Sequence, residues 1–250
     1  MPSARDLFFE VHRGLPREGP GDDASTARAL ALAAGLPSTP RVLDVGCGPG
    51  LQTLTLARLT GGSIKAVDLH GPFLKELAAR AVAAGLADRI ETVRASMSEL
   101  PFEPAGFDLI WSEGALYIMG FEAGLKAWRP LLAKGGYIAV TEPCFLTSDP
   151  PAEVRDFWTV YPDMKSPEQR LAQIAAAGFK AVGHFTIPDS AWWDDYYTPM
   201  TARLRQVQAR YQDDPAALAE LVRHDREIEL RRRFADHYGY VFFVLREAAD

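Results

Sequence analysis

Short apolar runs alternate with longer segments of helical spacing along the middle of the chain. The runs predict buried β-strands, and the segments between them predict helices. This alternation is typical of a mostly parallel, doubly wound sheet with helices on both faces. The predicted strands are 42–45, 64–67, 90–93, 107–111 and 137–141, the predicted helices are 51–59, 73–84 and 121–132, and residues 134–136 predict a turn.

The N-terminal segment does not follow this alternation. A short helix at 7–12 is followed by a stretch up to Asp23 that is rich in Gly and Pro, which indicates a loop. This loop could close over a ligand as a lid or serve as an ordinary connector. A capped helix is predicted at 24–35.

The C-terminal part predicts a return to the sheet and a helical insertion. Beyond Glu142 the predicted elements are a helix at 167–177, a strand at 179–187, helices at 200–211 and 215–237, and a last strand at 240–245. We expect seven strands, of which the last two form an antiparallel edge pair. We also expect a single domain over 1–250, with an N-terminal loop and helix at 1–40 and a helical cap at 188–239.

Composition narrows the class of protein. Hydrophobic residues make up 48% and charged residues 24% of the chain, as in a globular protein with a sizeable core. A formal net charge of −6 argues against nucleic acid as the main partner, because phosphate binding needs clustered Lys and Arg. We therefore expect a small-molecule substrate, no nucleic acid and no membrane partner, and we allow for a homodimer.

The cysteines and histidines exclude some kinds of site. The two cysteines, Cys47 and Cys144, follow different strands and suggest no disulfide framework, which fits a reducing compartment; we expect the cytoplasm. No apolar run indicates a signal peptide or a membrane span. The five histidines lack metal-ligand spacing, so no metal is expected.

A glycine-rich turn after the first predicted strand is the main candidate for chemistry. Gly46, Gly48 and Gly50 lie between that strand and a helix, and Asp68 ends the next strand. Glycine lets the backbone approach a ligand at a helix N-terminus, and the acidic residue is positioned to bind a ribose. The dinucleotide spacing G-x-G-x-x-G is absent, because Leu51 and Thr53 occupy the sixth positions.

Several motifs in order resemble the class I S-adenosylmethionine-dependent methyltransferases, in particular those of the ubiquinone/menaquinone-biosynthesis type that methylate small molecules. The resemblance covers nearly the whole chain and implies a Rossmann-like fold. The segments that carry it are D-x-G-x-G-x-G at 44–50, Asp68, Leu-Pro-Phe at 100–102, Phe-Asp-Leu-Ile at 107–110 and Leu-Leu-Ala-Lys-Gly-Gly at 131–136. Segments 17–21, 96–97 and 111–115 resemble a bacterial subgroup of these enzymes.

The resemblance implies S-adenosyl-L-methionine as the cofactor and assigns the residues around it. It places the glycine turn against the methionine moiety, Asp68 on the ribose hydroxyls and Leu69 on the adenine. Many relatives have an aspartate where this chain has Ser96, which accepts a hydrogen bond more weakly. The expected cofactor residues are Arg17, Asp44, Gly46, Cys47, Gly48, Gly50, Gln52, Asp68, Leu69, Ser96, Met97 and Glu113. Asp44 could equally be a structural carboxylate that accepts N–H groups of the loop, and the two roles are compatible.

Candidates for catalysis follow the later strands. Glu113 could contact the cofactor, act on the acceptor or cap a helix, and Tyr117 lies four residues further on. Glu142 has the same position after the next strand, with a structural role as the alternative. His184 lies on a strand beside the cap. A general base is needed only for an acceptor of high pKa, and Glu113, Tyr117 and His184 are the hypotheses for it.

Two further questions stay open from the sequence. The aromatic cluster at 192–197, with Trp158 and Tyr161, could line an apolar substrate pocket or form the underside of the cap. The expected function is methyl transfer to a small molecule. The alternatives are a non-catalytic or regulatory S-adenosylmethionine-binding protein and, less favoured, an NAD-dependent oxidoreductase.

Overall fold

The computed structural model describes residues 2–248 and contains one seven-stranded sheet. The strands are β1 Arg41–Val45, β2 Ser63–Asp68, β3 Ile90–Arg94, β4 Phe107–Ser112, β5 Leu132–Phe145, β6 Phe179–Thr186 and β7 Tyr238–Glu247. The α-helices are α1 Ala4–His12, α2 Asp23–Leu32, α3 Leu51–Leu59, α4 Gly71–Ala83, α5 Phe121–Trp128, α6 Ala152–Phe157, α7 Pro167–Ala176, α8 Ser190–Trp192, α9 Thr198–Arg210 and α10 Pro215–Phe234.

The strand order is β3-β2-β1-β4-β5-β7-β6. Strands β1 to β5 pair in parallel, and β7 pairs antiparallel with both β5 and β6. The order reverses at β1, whose neighbours are β2 on one side and β4 on the other. This confirms the predicted mostly parallel, Rossmann-like α/β sheet with an antiparallel edge pair.

The central strands are buried on both faces, which explains why they are apolar without alternation. On β7, Phe242 and Val244 belong to one core cluster, while Phe243 and Leu245 belong to the other. Successive side chains of a strand point to opposite faces, so both clusters are filled from one strand. The two apolar layers lie on opposite sides of the sheet.

The region after α5 differs from the prediction. The α-helix stops at Trp128 and a 3₁₀ turn covers Arg129–Leu131. Pro130 lacks the N–H that an α-helix would use there, which accounts for the early end. The predicted turn at 134–136 lies inside β5, where Gly135 has φ of 79° and the register with β4 shifts.

The C-terminal helices pack on the sheet and on the N-terminal helix. Met200 and Leu204 of α9 and Leu221 of α10 are fully buried and belong to the same core cluster as Phe242 of β7. The Tyr211 hydroxyl donates to Glu10 of α1 at 2.9 Å. The short helix α6 and a π-helical turn at Trp193–Tyr197 were not predicted from the sequence.

Candidate active site

A cavity of about 300 Å³ lies at the carboxyl ends of β1 to β4. In open α/β sheets, ligands bind at this edge where the strand order reverses. The residues that surround the cavity come from the loops after four strands and from the N-terminal segment. They include Phe8, Arg17, Glu18, Gly46, Cys47, Gly48, Gln52, Asp68, Leu69, Ser96, Met97, Glu113, Tyr117 and Ile118.

The glycine turn forms one wall of the cavity. Gly46 and Gly48 have φ of 71° and 54°, which favours glycine. A Cβ on Gly46 would lie 2.4 Å from the Cβ of Ala115, so the two loops approach each other too closely for any side chain there. The N–H groups of Gly46 and Cys47 both donate to the Val67 carbonyl, at 2.8 and 3.0 Å. The turn is therefore fixed by β2 rather than left open for a phosphate.

Asp68 faces the cavity from the end of β2. Its Oδ2 accepts the Gly48 N–H at 3.0 Å, and its Oδ1 accepts the His70 N–H at 2.7 Å. Each carboxylate oxygen therefore keeps acceptor capacity for a ligand hydroxyl. Desolvation by burial raises the pKa of Asp68, although these backbone donors oppose the shift.

Asp44 and Gly50 do not line the cavity, although the sequence grouped both with the cofactor residues. Asp44 is fully buried, and its Oδ2 accepts from the Thr53 hydroxyl at 2.6 Å and from Gln52 at 3.3 Å. Burial raises its pKa to about 7. Gly50 begins α3 at φ of 81°, where a Cβ would meet Leu77 at 2.2 Å. Both residues support the turn from below.

Glu113 accepts hydrogen bonds from three donors, one of which is the guanidinium of Arg17. Its Oε2 accepts from Arg17 Nη1 at 2.8 Å, and its Oε1 accepts from the Thr26 hydroxyl and the Trp111 indole, both at 2.9 Å. These bonds tie the N-terminal loop to the end of β4. The arrangement favours an anchoring role over that of a general base.

The other expected contacts sit around the rim of the cavity. Leu69 is 55% exposed, and the Ser96 hydroxyl lies 2.8 Å from that of Ser98. Met97 is fixed by its carbonyl, which accepts from the Trp128 indole at 3.0 Å. Desolvation and the nearby Glu227 and Glu142 raise the pKa of Tyr117, so its hydroxyl stays protonated at neutral pH.

His184 does not join the site. It is exposed on the edge strand β6, stacks on Phe243 with ring centres 5.8 Å apart, and does not line the cavity. Strand β6 is separated from β1 by β4, β5 and β7, which places His184 far along the sheet. We therefore do not retain His184 as a proton acceptor.

The aromatic cluster and Glu142 belong to the core. Trp192, Tyr196 and Tyr197 are buried and do not line the cavity, which favours the underside of the cap over a pocket lining. Glu142 is fully buried; its Oε1 lies 2.9 Å from Arg170 Nη2 and accepts from the Tyr161 hydroxyl. Burial raises the pKa of Glu142 to about 7.

Several residues at the cavity were absent from the predicted site, among them Phe8 and Glu18. Phe8, on α1, is 41% exposed and borders both this cavity and a second one of about 520 Å³ between α1, α6 and α10. Glu18 lies in the segment at 17–21 that carried a resemblance, beside the predicted Arg17. Its position next to Arg17 in the sequence indicated that Glu18 lies near the site. The sequence does not show that its side chain faces the cavity.

The order of the strands and the position of the cavity are those of a methyltransferase-type α/β fold. Residues 42–136 match the family model described as "Methyltransferase domain". Within residues 2–248, no group of His, Cys, Asp or Glu is arranged to hold a metal ion. No helix in that range is both long and apolar enough to cross a membrane.

The chain is also similar in sequence to named methyltransferases. "Methyltransferase GfsG" of Streptomyces halstedii is 31% identical over 103 residues, which are 41% of this chain and 37% of that protein. A "Demethylmenaquinone methyltransferase" of Clavibacter sepedonicus is 29% identical over 171 residues, 68% of this chain and 64% of that protein. The matches thus span between about a third and two thirds of these curated relatives.

A solved structure extends the similarity of fold to almost the whole chain. It is a SAM-dependent methyltransferase from Geobacter sulfurreducens, crystallised with S-adenosyl-L-homocysteine, and it has a TM-score of 0.81. The alignment covers 99% of both chains at 22% identity. At this identity the comparison shows a common fold.

Proposed function

We propose that this protein transfers a methyl group from S-adenosyl-L-methionine to a small-molecule acceptor. The observation that carries the proposal is the cavity at the carboxyl ends of β1 to β4, which has the tight glycine turn on one wall and the Asp68 carboxylate beside it. The methyltransferase-domain match over residues 42–136 covers this turn and Asp68.

The residues at the cavity fit this cofactor. Gly46 and Gly48 present bare backbone to the space, and Asp68 keeps acceptor capacity for two ribose hydroxyls. Leu69 and Met97 offer apolar surface for an adenine ring at the opposite end. The cavity volume of about 300 Å³ lies at the lower end of the range for small-molecule sites.

The chemistry needs orientation more than proton transfer. The sulfonium of the cofactor supplies an already activated methyl group. The chain must align the acceptor with that group and exclude water, and orientation of this kind contributes roughly 7–11 kcal/mol. Tyr117 stays protonated, and Glu113 is already bound by three donors, so neither is arranged as a free base.

Phe8, Tyr117 and Ile118 form the apolar side of the cavity where we place the acceptor. Their exposed fractions are 41%, 37% and 65%, which are high for side chains of this size. Exposed aromatic and aliphatic groups at a cavity mouth are typical of ligand-binding surfaces. An acceptor that buries an apolar group against them fits the site best.

Binding separates this function from an oxidoreductase. S-adenosylhomocysteine should raise the melting temperature, and NADH should not, because the G-x-G-x-x-G spacing is missing. Asp68→Asn should weaken S-adenosylhomocysteine binding by roughly 10- to 100-fold, as expected when a charge-assisted acceptor is lost. Stabilisation by NADH alone would contradict the proposal.

Turnover separates an enzyme from a non-catalytic binding protein. The protein would be incubated with methyl-labelled S-adenosylmethionine and small-molecule extracts, and the labelled product identified by mass. Asp68→Asn serves as the control for protein-dependent labelling. Binding without any labelled product would favour a regulatory protein instead.

We also propose that residues 1–250 act as one domain in the cytoplasm, with 1–40 covering the cofactor and 188–239 as a helical cap. The buried free thiols of Cys47 and Cys144 support a reducing compartment, and the core cluster shared by α9, α10 and β7 supports a single domain. A single cooperative unfolding transition would support this organisation. Light scattering would test the homodimer that we allow for.

A further inference from the structure

Glu18 lines the cavity, and its carboxyl group has no hydrogen-bond partner among the described residues. Both of its carboxylate oxygens are buried and make no hydrogen bond, and the residue lines the cavity beside Asp68 and Gly48. A buried carboxylate without a donor is costly, so native structures normally pair it. A side chain of this kind at the wall of a ligand cavity suggests that the ligand supplies the partner.

Within residues 2–248, no cation forms a hydrogen bond with Glu18. Arg80 is the cation whose charge acts on Glu18, but its guanidinium N–H groups donate to the carbonyls of Leu15, Pro16 and Pro49 at 2.9–3.1 Å and it lies 3.6 Å from Glu76. The neighbouring residue Arg17 turns away to Glu113.

The remaining titratable groups around Glu18 are acids. They are Asp68 at the end of β2, Glu76 on α4 and the Tyr196 hydroxyl from the π-helical turn. Burial, followed by the charges of Asp68 and Glu76, raises the pKa of Glu18 to about 9. The carboxyl group therefore carries a proton at neutral pH until a positive charge arrives.

The position of Glu18 along the glycine turn indicates which part of a ligand it meets. Its Cγ lies 3.1 Å from where a Cβ of Gly48 would be. Gly48 donates its N–H to Asp68, the proposed ribose partner, and belongs to the glycine turn that we expect to contact the methionine moiety. In S-adenosylmethionine, the sulfonium is the atom that joins the ribose C5′ to the methionine chain.

We propose that Glu18 is a specificity-determining residue that stabilises the sulfonium charge and so makes the site prefer S-adenosylmethionine to S-adenosylhomocysteine. This inference rests on the proposed function. The two ligands share the adenosine, the α-ammonium and the carboxylate, and they differ in the methyl group and its positive charge. Loss of that charge on methyl transfer removes the partner of Glu18, and the product is released more readily.

The first test compares the two ligands by calorimetry with Glu18→Gln. This change keeps the size of the side chain and removes its ability to ionise when a positive charge binds. We expect S-adenosylmethionine to bind roughly tenfold more weakly and S-adenosylhomocysteine to change less than twofold, because only the first carries the charge. Glu91→Gln is the matched control, since Glu91 is 63% exposed on β3 and does not line this cavity, and it should leave the ratio of the two affinities within about twofold.

The second test uses the unmodified protein and so does not depend on how the variant folds. Titrations at pH 7.5 in buffers of different ionisation enthalpy report the protons released on binding. The arriving sulfonium favours ionised Glu18, so S-adenosylmethionine should release up to one proton more than S-adenosylhomocysteine. The sulfonium lowers the pKa of the α-ammonium in S-adenosylmethionine, so the titrations are repeated at pH 6.5, where this group is protonated in both free ligands and cancels in the difference.

The outcomes separate this inference from the proposed function. An equal loss of affinity for both ligands in Glu18→Gln, or no loss at all, overturns the role of Glu18 in sensing the sulfonium. Equal proton release with both ligands in the unmodified protein does the same. If neither ligand binds the unmodified protein, the proposed function itself fails.

Discussion

Arg17 Nη1 donates to Glu113 Oε2 at 2.8 Å, and this buried ion pair holds the N-terminal loop over the cavity. The two side chains are only 3% and 4% exposed. Gly21 permits the pair, because a Cβ there would lie 2.8 Å from both of these atoms. The Gly21 N–H also donates to the Ala191 carbonyl at 3.0 Å, which ties the loop to α8.

Removing Arg17 should therefore destabilise the whole protein. In Arg17→Met the Glu113 carboxylate stays buried and loses its charged partner, which typically costs about 3–5 kcal/mol. Urea denaturation would measure this loss in the free energy of unfolding. The control is Arg41→Met, whose pair with Asp108 is 51% exposed on the arginine side and should contribute less than about 1 kcal/mol. If Arg17→Met lowers the free energy of unfolding by no more than Arg41→Met does, the buried pair does not stabilise the fold in this way.

A side chain on Gly46 should weaken cofactor binding while leaving the protein folded. Gly46→Ala places a methyl group 2.4 Å from the Cβ of Ala115 and forces the two cavity loops apart. Calorimetry with S-adenosylhomocysteine should show a loss of more than about tenfold in affinity, as expected for a change of more than 1.4 kcal/mol.

The matched control for Gly46→Ala is Gly85→Ala. Gly85 also has a positive φ, 68°, but a Cβ there meets nothing within 4 Å. Both variants carry the backbone strain of about 1–2 kcal/mol that a left-handed residue costs. Only the clash is specific to Gly46, so Gly85→Ala should lose stability and keep its affinity. Equal affinities in the two variants would contradict the tight fit of the turn.

Most of the fold and the glycine turn could be predicted because they depend on local sequence signals. The strand β1 is an apolar run that ends in glycines, and the position of Asp68 follows from the carboxyl ends of parallel strands meeting at one edge. Predicting such features requires only the period of the hydrophobic pattern and the rules by which strands are connected in α/β sheets.

Some predicted site residues do not line the cavity because the direction of a side chain and the order of the strands are set by the fold and not by the local sequence. Asp44 precedes the turn in the motif, but side chains alternate along a strand, and that of Asp44 points to Thr53 and Gln52 under the turn. His184 was chosen for its nearness to the cap in sequence, whereas the insertion of β7 beside β5 moves β6 to the far edge. Glu18 was missed because its direction depends on the loop that Arg17 fixes.

Asp44 should also make the stability of the protein depend on pH. Burial raises its pKa from 3.8 to about 7 in the folded state. Between about pH 4 and pH 7, the folded protein therefore keeps a proton on Asp44 that the unfolded chain has already lost. A raised pKa gives stability that is complete below the unfolded value and falls as the pH rises through the folded one, with a slope of at most about 1.4 kcal/mol per pH unit.

Asp44→Asn should remove this slope, because its amide does not titrate. Unfolding free energies from urea titrations at pH 5.0, 6.0 and 7.0 would show the unmodified protein losing stability relative to Asp44→Asn as the pH rises. Asp108→Asn is the control: the Arg41 hydrogen bond lowers the pKa of Asp108, so its contribution is lost only as the pH falls below that range. If the difference between the unmodified protein and Asp44→Asn is the same at all three values, Asp44 is ionised throughout, and the support of the turn does not involve a buried proton.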